Sequence, residues 1–244
     1  MHLPLLSICN DKTNGKGKSE NTDLDDEAWR VATRENSPQA YWQYLNHPWT
    51  RHAVQAQKRL GELSEAEWER EVKNGDSEEV IEGFINKYKD GPYVTLAKET
   101  LKVAKAWATI NKATDPHVLF GFPSYYHDPV FEKLAKDALN KLDDQAWQSA
   151  TIAATRETIT KYLSVWSRLH GLHLQEAQNR LSELDDDDAW RIASREDNPK
   201  AYRQYLNHPW TRHAAEAQKY LDEFDNQAWR SAANALTREA VLQI

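Results

Sequence analysis

Residues 29–60, WRVATRENSPQAYWQYLNHPWTRHAVQAQKRL, return later in the chain as residues 190–221, WRIASREDNPKAYRQYLNHPWTRHAAEAQKYL. The two stretches agree at 23 of 32 positions without a gap. A duplication of this length marks one structural unit used more than once, so the chain is read as a repeat array before anything else. Working outward, Trp29, Trp68, Trp107, Trp147, Trp190 and Trp229 fall at intervals of 39, 39, 40, 43 and 39 residues. This sets six copies, near 24–63, 64–102, 103–142, 143–184, 185–224 and a partial 225–244. They form one helical repeat domain over 24–244, preceded by a leader or tether at 1–23.

Eight residues after each Trp stand Ser37, Asp76, Asp115, Thr155, Asn198 and Thr237. Each accepts a hydrogen bond from a free amide, as a helix N-cap must. Pro38, Pro116 and Pro199 follow three of them, where a missing N–H costs nothing. Ser77 and Glu79 offer a similar start in the second copy. A helix is therefore expected to begin at this phase in every copy. In the first copy it carries Ala40, Tyr41, Tyr44 and Leu45 on one face, and in the fifth Ala201, Tyr202, Tyr205 and Leu206. Pro48, Gly91-Pro92, Gly171 and Pro209 break it.

A second helix follows, with Thr50 as its expected cap and Ala53, Ala56, Gln57 and Leu60 at helical spacing. Its small residues allow close approach by the first helix. Next comes an acidic run before the following Trp, as in LDDEAW and LDDDDAW. Acids suit a helix N-terminus, so the run is read as a helix start on a solvated face. The Trp then lies in a third short helix or in a kinked continuation of the second. The third copy is degenerate: HVLFGFPSYYHDPVF, residues 117–131, has two Pro and a dense aromatic cluster.

One such hairpin cannot bury its aromatic stripe alone, whereas stacked neighbours share a continuous core. The expected fold is all-α, an α-solenoid of stacked helical hairpins with the repeated Trp wedged between them. Composition agrees. The 244 residues include 10 Trp and 10 Tyr, large apolar anchors that a disordered chain lacks. A net charge of −7 argues against bulk nucleic-acid binding, and the single Cys excludes an internal disulfide framework. That residue, Cys9, closes Leu-Ser-Ile-Cys, which is similar to a bacterial lipobox with Ile8 where a small residue is expected. It is the candidate lipidation site and the one expected route to a membrane. Two locations are open to expectation: cytoplasmic, or periplasmic and membrane-tethered if the N-terminus is part of a signal.

The combined pattern of Trp29-Ala32, cap Ser37, Tyr41-Tyr44-Leu45, Pro48, His52 and Ala56-Leu60 resembles the TPR-like helical-hairpin repeats of bacteria. Similar repeats stand in tandem in envelope proteins, or beside caspase-like, protease or kinase domains. The period differs from the roughly 34 residues of the tetratricopeptide signature, and Thr50-Arg51 replaces a usual Gly in the inter-helix turn. The resemblance implies a scaffold that binds proteins and transfers no catalytic residues.

The sequence holds no Gly-rich phosphate loop, GxSxG elbow or HExxH. His47 and His52 are repeated as His208 and His213, and of these His52 and His213 are read as packing against the aromatic stripe or capping the preceding helix. His117 and His127, near Asp115 and Asp128, form the least implausible ligand cluster, but no metal or cofactor is expected. The candidate partner-binding residues are Trp49, Arg51, Trp210 and Arg212 at the hairpin turns, with Tyr125 and Tyr126 in the third copy. Trp and Arg are the residue types that anchor interfaces. The expected function is non-enzymatic: a scaffold for a protein or peptide partner. Two other readings stand beside it, a regulatory arm of a larger effector such as a protease, and a helical enzyme with a site near residues 115–130.

Overall fold

The computed structural model describes residues 16–242, with side chains described for 21–236. All regular structure among them is helical: α1 (Lys16–Glu35), α2 (Pro38–Leu45), α3 (Ala53–Glu67), α4 (Glu78–Tyr88), α5 (Val94–Ile110), α6 (Pro116–Tyr125), α7 (Pro129–Ala153), α8 (Arg156–Trp166), α9 (Leu174–Glu196), α10 (Pro199–Leu206) and α11 (Ala214–Leu242). A π-helical turn, Trp68–Val72, extends α3. α1 begins inside the stretch read as tether, and Cys9 lies outside the described residues.

The described residues cluster into two compact units, those up to 113 with 121–136, and 114–120 with those from 137 onward. In the first, α2 packs between α1 and α3, and α4 packs against α3, its π turn and α5. In the second, α9 packs against α8 and α10, and α10 against α11. Each unit is thus a series of helical hairpins stacked in chain order, the all-α repeat architecture expected from the Trp spacing.

Local chemistry explains the short helices. Ser37, Ser77, Thr155 and Asn198 all have extended backbones, and each accepts an amide hydrogen bond three residues on. The preceding long helix ends where Asn36, Ala154 and Asp197 take left-handed backbones, φ 47°, 50° and 44°. The expectation of a helix start at this phase fails in the sixth copy: Thr237 lies within α11. There the residue that must turn left-handed is Leu236, which a Cβ and a bulky side chain disfavour. No proline follows, and Arg-Glu-Ala-Val-Leu sustains a helix.

The second helices also differ from expectation. Thr50 does not cap α3, whose N-cap is His52 without a side-chain bond. The acidic runs start no helix: Asp143, Asp186 and Asp225 lie inside α7, α9 and α11, so the Trp rides on a continuation of the second helix. Only in the second copy is that continuation distorted, through the π turn. Nor are these acids all solvated, since Asp25, Asp143 and Asp186 are buried. The core is small and aromatic: Ala32, Ala40, Tyr41, Tyr44 and Ala56 in the first copy, and Ala193, Ala201, Tyr202, Tyr205, Ala217 and Leu221 in the fifth.

Candidate functional site

A buried carboxylate four residues before the Trp is the hub of three copies. In the first, Asp25 accepts a hydrogen bond from the Tyr44 hydroxyl at 2.9 Å and from Arg51 Nε at 3.0 Å. The Arg51 amide reaches the same carboxylate at 3.3 Å, and the His52 amide donates to the Tyr44 oxygen at 2.9 Å. The fifth copy repeats this with Asp186, Tyr205 at 2.8 Å, Arg212 Nε at 3.1 Å and the His213 amide at 2.9 Å. In the fourth, Tyr162 donates to Asp143 at 2.5 Å and the Leu172 amide is the other donor. A Cβ at Gly171 would stand 2.8 Å from the Trp166 Cβ and 3.2 Å from both the Asp143 carboxylate and the Tyr162 hydroxyl, so the turn there has room only for glycine.

The hub solves a specific problem. Both α3 and α9 start without a side-chain cap of their own, and the first amides of a helix need acceptors. The preceding helix supplies them through the Asp carboxylate, and the short helix through the Tyr oxygen. One network ties three elements together.

Its electrostatics follow from the contacts. Burial alone would raise the Asp25 and Asp186 carboxyls, but the hydrogen bonds from Tyr44 and Arg51, or Tyr205 and Arg212, outweigh it and hold both below the ordinary value. Burial and the adjacent carboxylate push the Tyr205 hydroxyl up to about 12, so it remains a donor. Ligand atoms of Asp25, Asp26 and His52 lie within 4.8 Å of one another, as do those of Asp186, Asp187 and His213. In both clusters a guanidinium stands among the acids, Arg51 on Asp25 and Asp26, Arg212 on Asp186 and Asp187.

The histidines stack on the repeated Trp, His52 on Trp29 and His213 on Trp190, each at 4.9 Å, and His173 on Trp147 at 5.7 Å. Tyr93 takes this place on Trp68. The packing role read for His52 and His213 is what the structure shows.

Of the candidate partner-binding residues, Trp49 and Trp210 are exposed. Arg51 and Arg212 are half-exposed but bound to the hub. Trp210 and Arg212 share a groove of 310 Å³ with Asn179, Ser182, Glu183 and Asp186. Tyr125 is exposed, while Tyr126 packs on Phe122 at 4.9 Å. In the stretch 115–130, Asp115 accepts bonds from the His117 amide and ring, and Asp128 from the amides of Val130 and Phe131. Both acids serve the first turns of α6 and α7.

A second kind of groove escaped sequence reasoning. Between α7 and α8 lies one of 330 Å³, walled by Ala146, Ala150, Tyr162, Val165 and Trp166 among others. Between α9 and α10 lies one of 170 Å³, walled by Ala189, Ala193, Ala201, Gln204 and Tyr205 among others. The walls correspond position by position: Ala146 with Ala189, Ala150 with Ala193, Thr158 with Ala201, Lys161 with Gln204, Tyr162 with Tyr205. The sequence signal for them was the small residue on each side of the Trp, which leaves the two helices unequally filled.

No protein-family profile matches the chain, and neither curated proteins nor solved structures gave a match.

Proposed function

We propose that this protein is a non-enzymatic scaffold of the TPR-like helical-hairpin type that binds a protein or peptide partner along its repeats. One observation carries the reading. The same groove recurs in successive copies from equivalent residues, between α7 and α8 and between α9 and α10. A repeated pocket suits a ligand that itself repeats, and a polypeptide presents side chains at regular intervals. The walls mix apolar side chains with the charged Lys161 and Glu196 and the polar Ser149, Thr158, Gln204 and His208, the mixture expected of a small recognition site. The exposed Trp49 and Trp210 are further anchors, each two residues before an arginine bound to the hub.

Photo-crosslinking tests this. A crosslinking residue at 165 or at 192 should capture the same partner from the native host. Ile192 is 47% exposed, so Ile192→Arg should abolish capture while the helical circular dichroism stays unchanged. Different captures from the two positions, or capture that survives Ile192→Arg, would refute binding along the repeats.

A further inference from the structure

We propose that the exposed face of α11 carrying Asp225, Trp229 and Ala232 docks a helical hairpin of this chain's own repeat type, recognised through a tyrosine seven residues after its helix cap.

Asp225, Trp229 and Ala232 stand in the spacing of Asp186, Trp190 and Ala193 on α9, and of Asp25, Trp29 and Ala32 on α1. On α9 that face is covered by α10: Asp186 is 0% and Ala193 2% exposed, and Trp190 packs on Tyr202, Tyr205 and His213. On α1 it is covered by α2 in the same way. On α11 nothing described covers it. Trp229 is 73% and Leu236 68% exposed, and Asp225 and Ala232 face solvent.

The acid identifies the occupant. Where the covering helix brings a tyrosine at the seventh position after its cap, as Tyr44, Tyr162 and Tyr205, the face carries Asp25, Asp143 and Asp186. Where it brings Phe84 or Phe122 instead, the face carries Ser64 or Val103. The carboxylate accompanies the hydroxyl it accepts from. Asp225 has no hydrogen-bond or ion-pair partner among the described residues, yet it occupies the acceptor's place. A face built as Asp, Trp and Ala therefore matches a Tyr-bearing short helix followed by a turn whose first amides seek the carboxylate.

The probe is a synthetic peptide of residues 197–224, which holds α10, its turn and the start of α11, added to the full chain. Calorimetry should show saturable binding, with amide-exchange protection gained over residues 225–236. Trp229→Ala removes an exposed side chain, leaves the fold intact and should weaken binding at least ten-fold. In a double-mutant cycle, Tyr205→Phe in the peptide should weaken binding to the unmodified protein about ten-fold, and should have little effect on the Asp225→Asn protein. Ile192→Arg should leave peptide binding unchanged, which separates this surface from the groove reading. No binding, protection elsewhere in the chain, or Tyr205→Phe effects equal in both proteins would overturn the proposal. Self-association of the protein that Trp229→Ala abolishes would assign the face to a second copy, and would overturn it too.

Discussion

The second and fifth copies fill one position in opposite ways. In the fifth, a buried Asp186 takes hydrogen bonds from Tyr205 and Arg212. In the second, Ser64 and Phe84 stand at those places, and the apolar ring needs no acceptor. Tyr88, four residues further on, carries the hydroxyl instead, donating to the Leu63 carbonyl and to Glu67 at 2.8 Å. Wherever a short helix covers this face, the Asp–Tyr pair is present or absent as a whole. A half-made version would bury a charge or a hydroxyl without a partner, which costs more than an apolar contact of the same shape. The cluster of Asp, Arg, His and Tyr is therefore the joint of a hairpin, although in composition it looks like a catalytic constellation.

The comparison is sharpest when one copy is converted into the other. Asp186→Ser alone should cost about 3 kcal/mol in urea unfolding, because the Arg212 side chain, the Arg212 amide and the Tyr205 hydroxyl lose their acceptor. Tyr205→Phe alone should cost about 2 kcal/mol. The double variant, which recreates the second copy's pairing, should cost clearly less than the sum. Strict additivity would show that the pair does not act as a unit.

An intermediate effect is expected from acid. The Asp25 and Asp186 carboxyls titrate below their ordinary value of 3.8 in the folded protein. Their contribution is complete above that value and is lost as pH falls through the lower folded one. Urea midpoints should drop between pH 4 and pH 2, and less steeply in the Asp186→Ser, Tyr205→Phe double variant. A parallel decline in both proteins would break the link between the hub and acid stability.

The smallest effect belongs to the second copy. The Ser64 hydroxyl is buried and has no partner among the described residues. Ser64→Ala should leave the melting temperature unchanged or raise it by a degree or two. A marked loss would mean that the hydroxyl has a bonding role which the comparison denies it.

Much of this was legible in the chain. The Trp period located every hairpin, and Ser37, Ser77, Thr155 and Asn198 were read as caps and are caps. The acidic runs were misread because each mixes two environments. Asp25 is buried beside the half-exposed Asp26, and Asp186 beside the exposed Asp187, a difference of one step around a helix. Composition favours a solvated face for such a run, and only the phase of each acid relative to the Trp, matched with Tyr or Phe in the next helix, would have revealed the buried member. Thr237 was misread for the opposite reason. A cap sequence ends a helix when another helix packs behind it, and none of the described residues packs there.

By itself the sequence determined the helical class, the repeat length and the start of each capped short helix, because these depend on residues within a few positions of one another. Tertiary structure alone decided which acid enters the core, which arginine is tied down, and which Trp stays in water. Those outcomes depend on whether a neighbouring helix supplies a hydroxyl, an amide or a ring at hydrogen-bonding or contact distance, and residues 19 to 29 positions apart meet only once the hairpins stack.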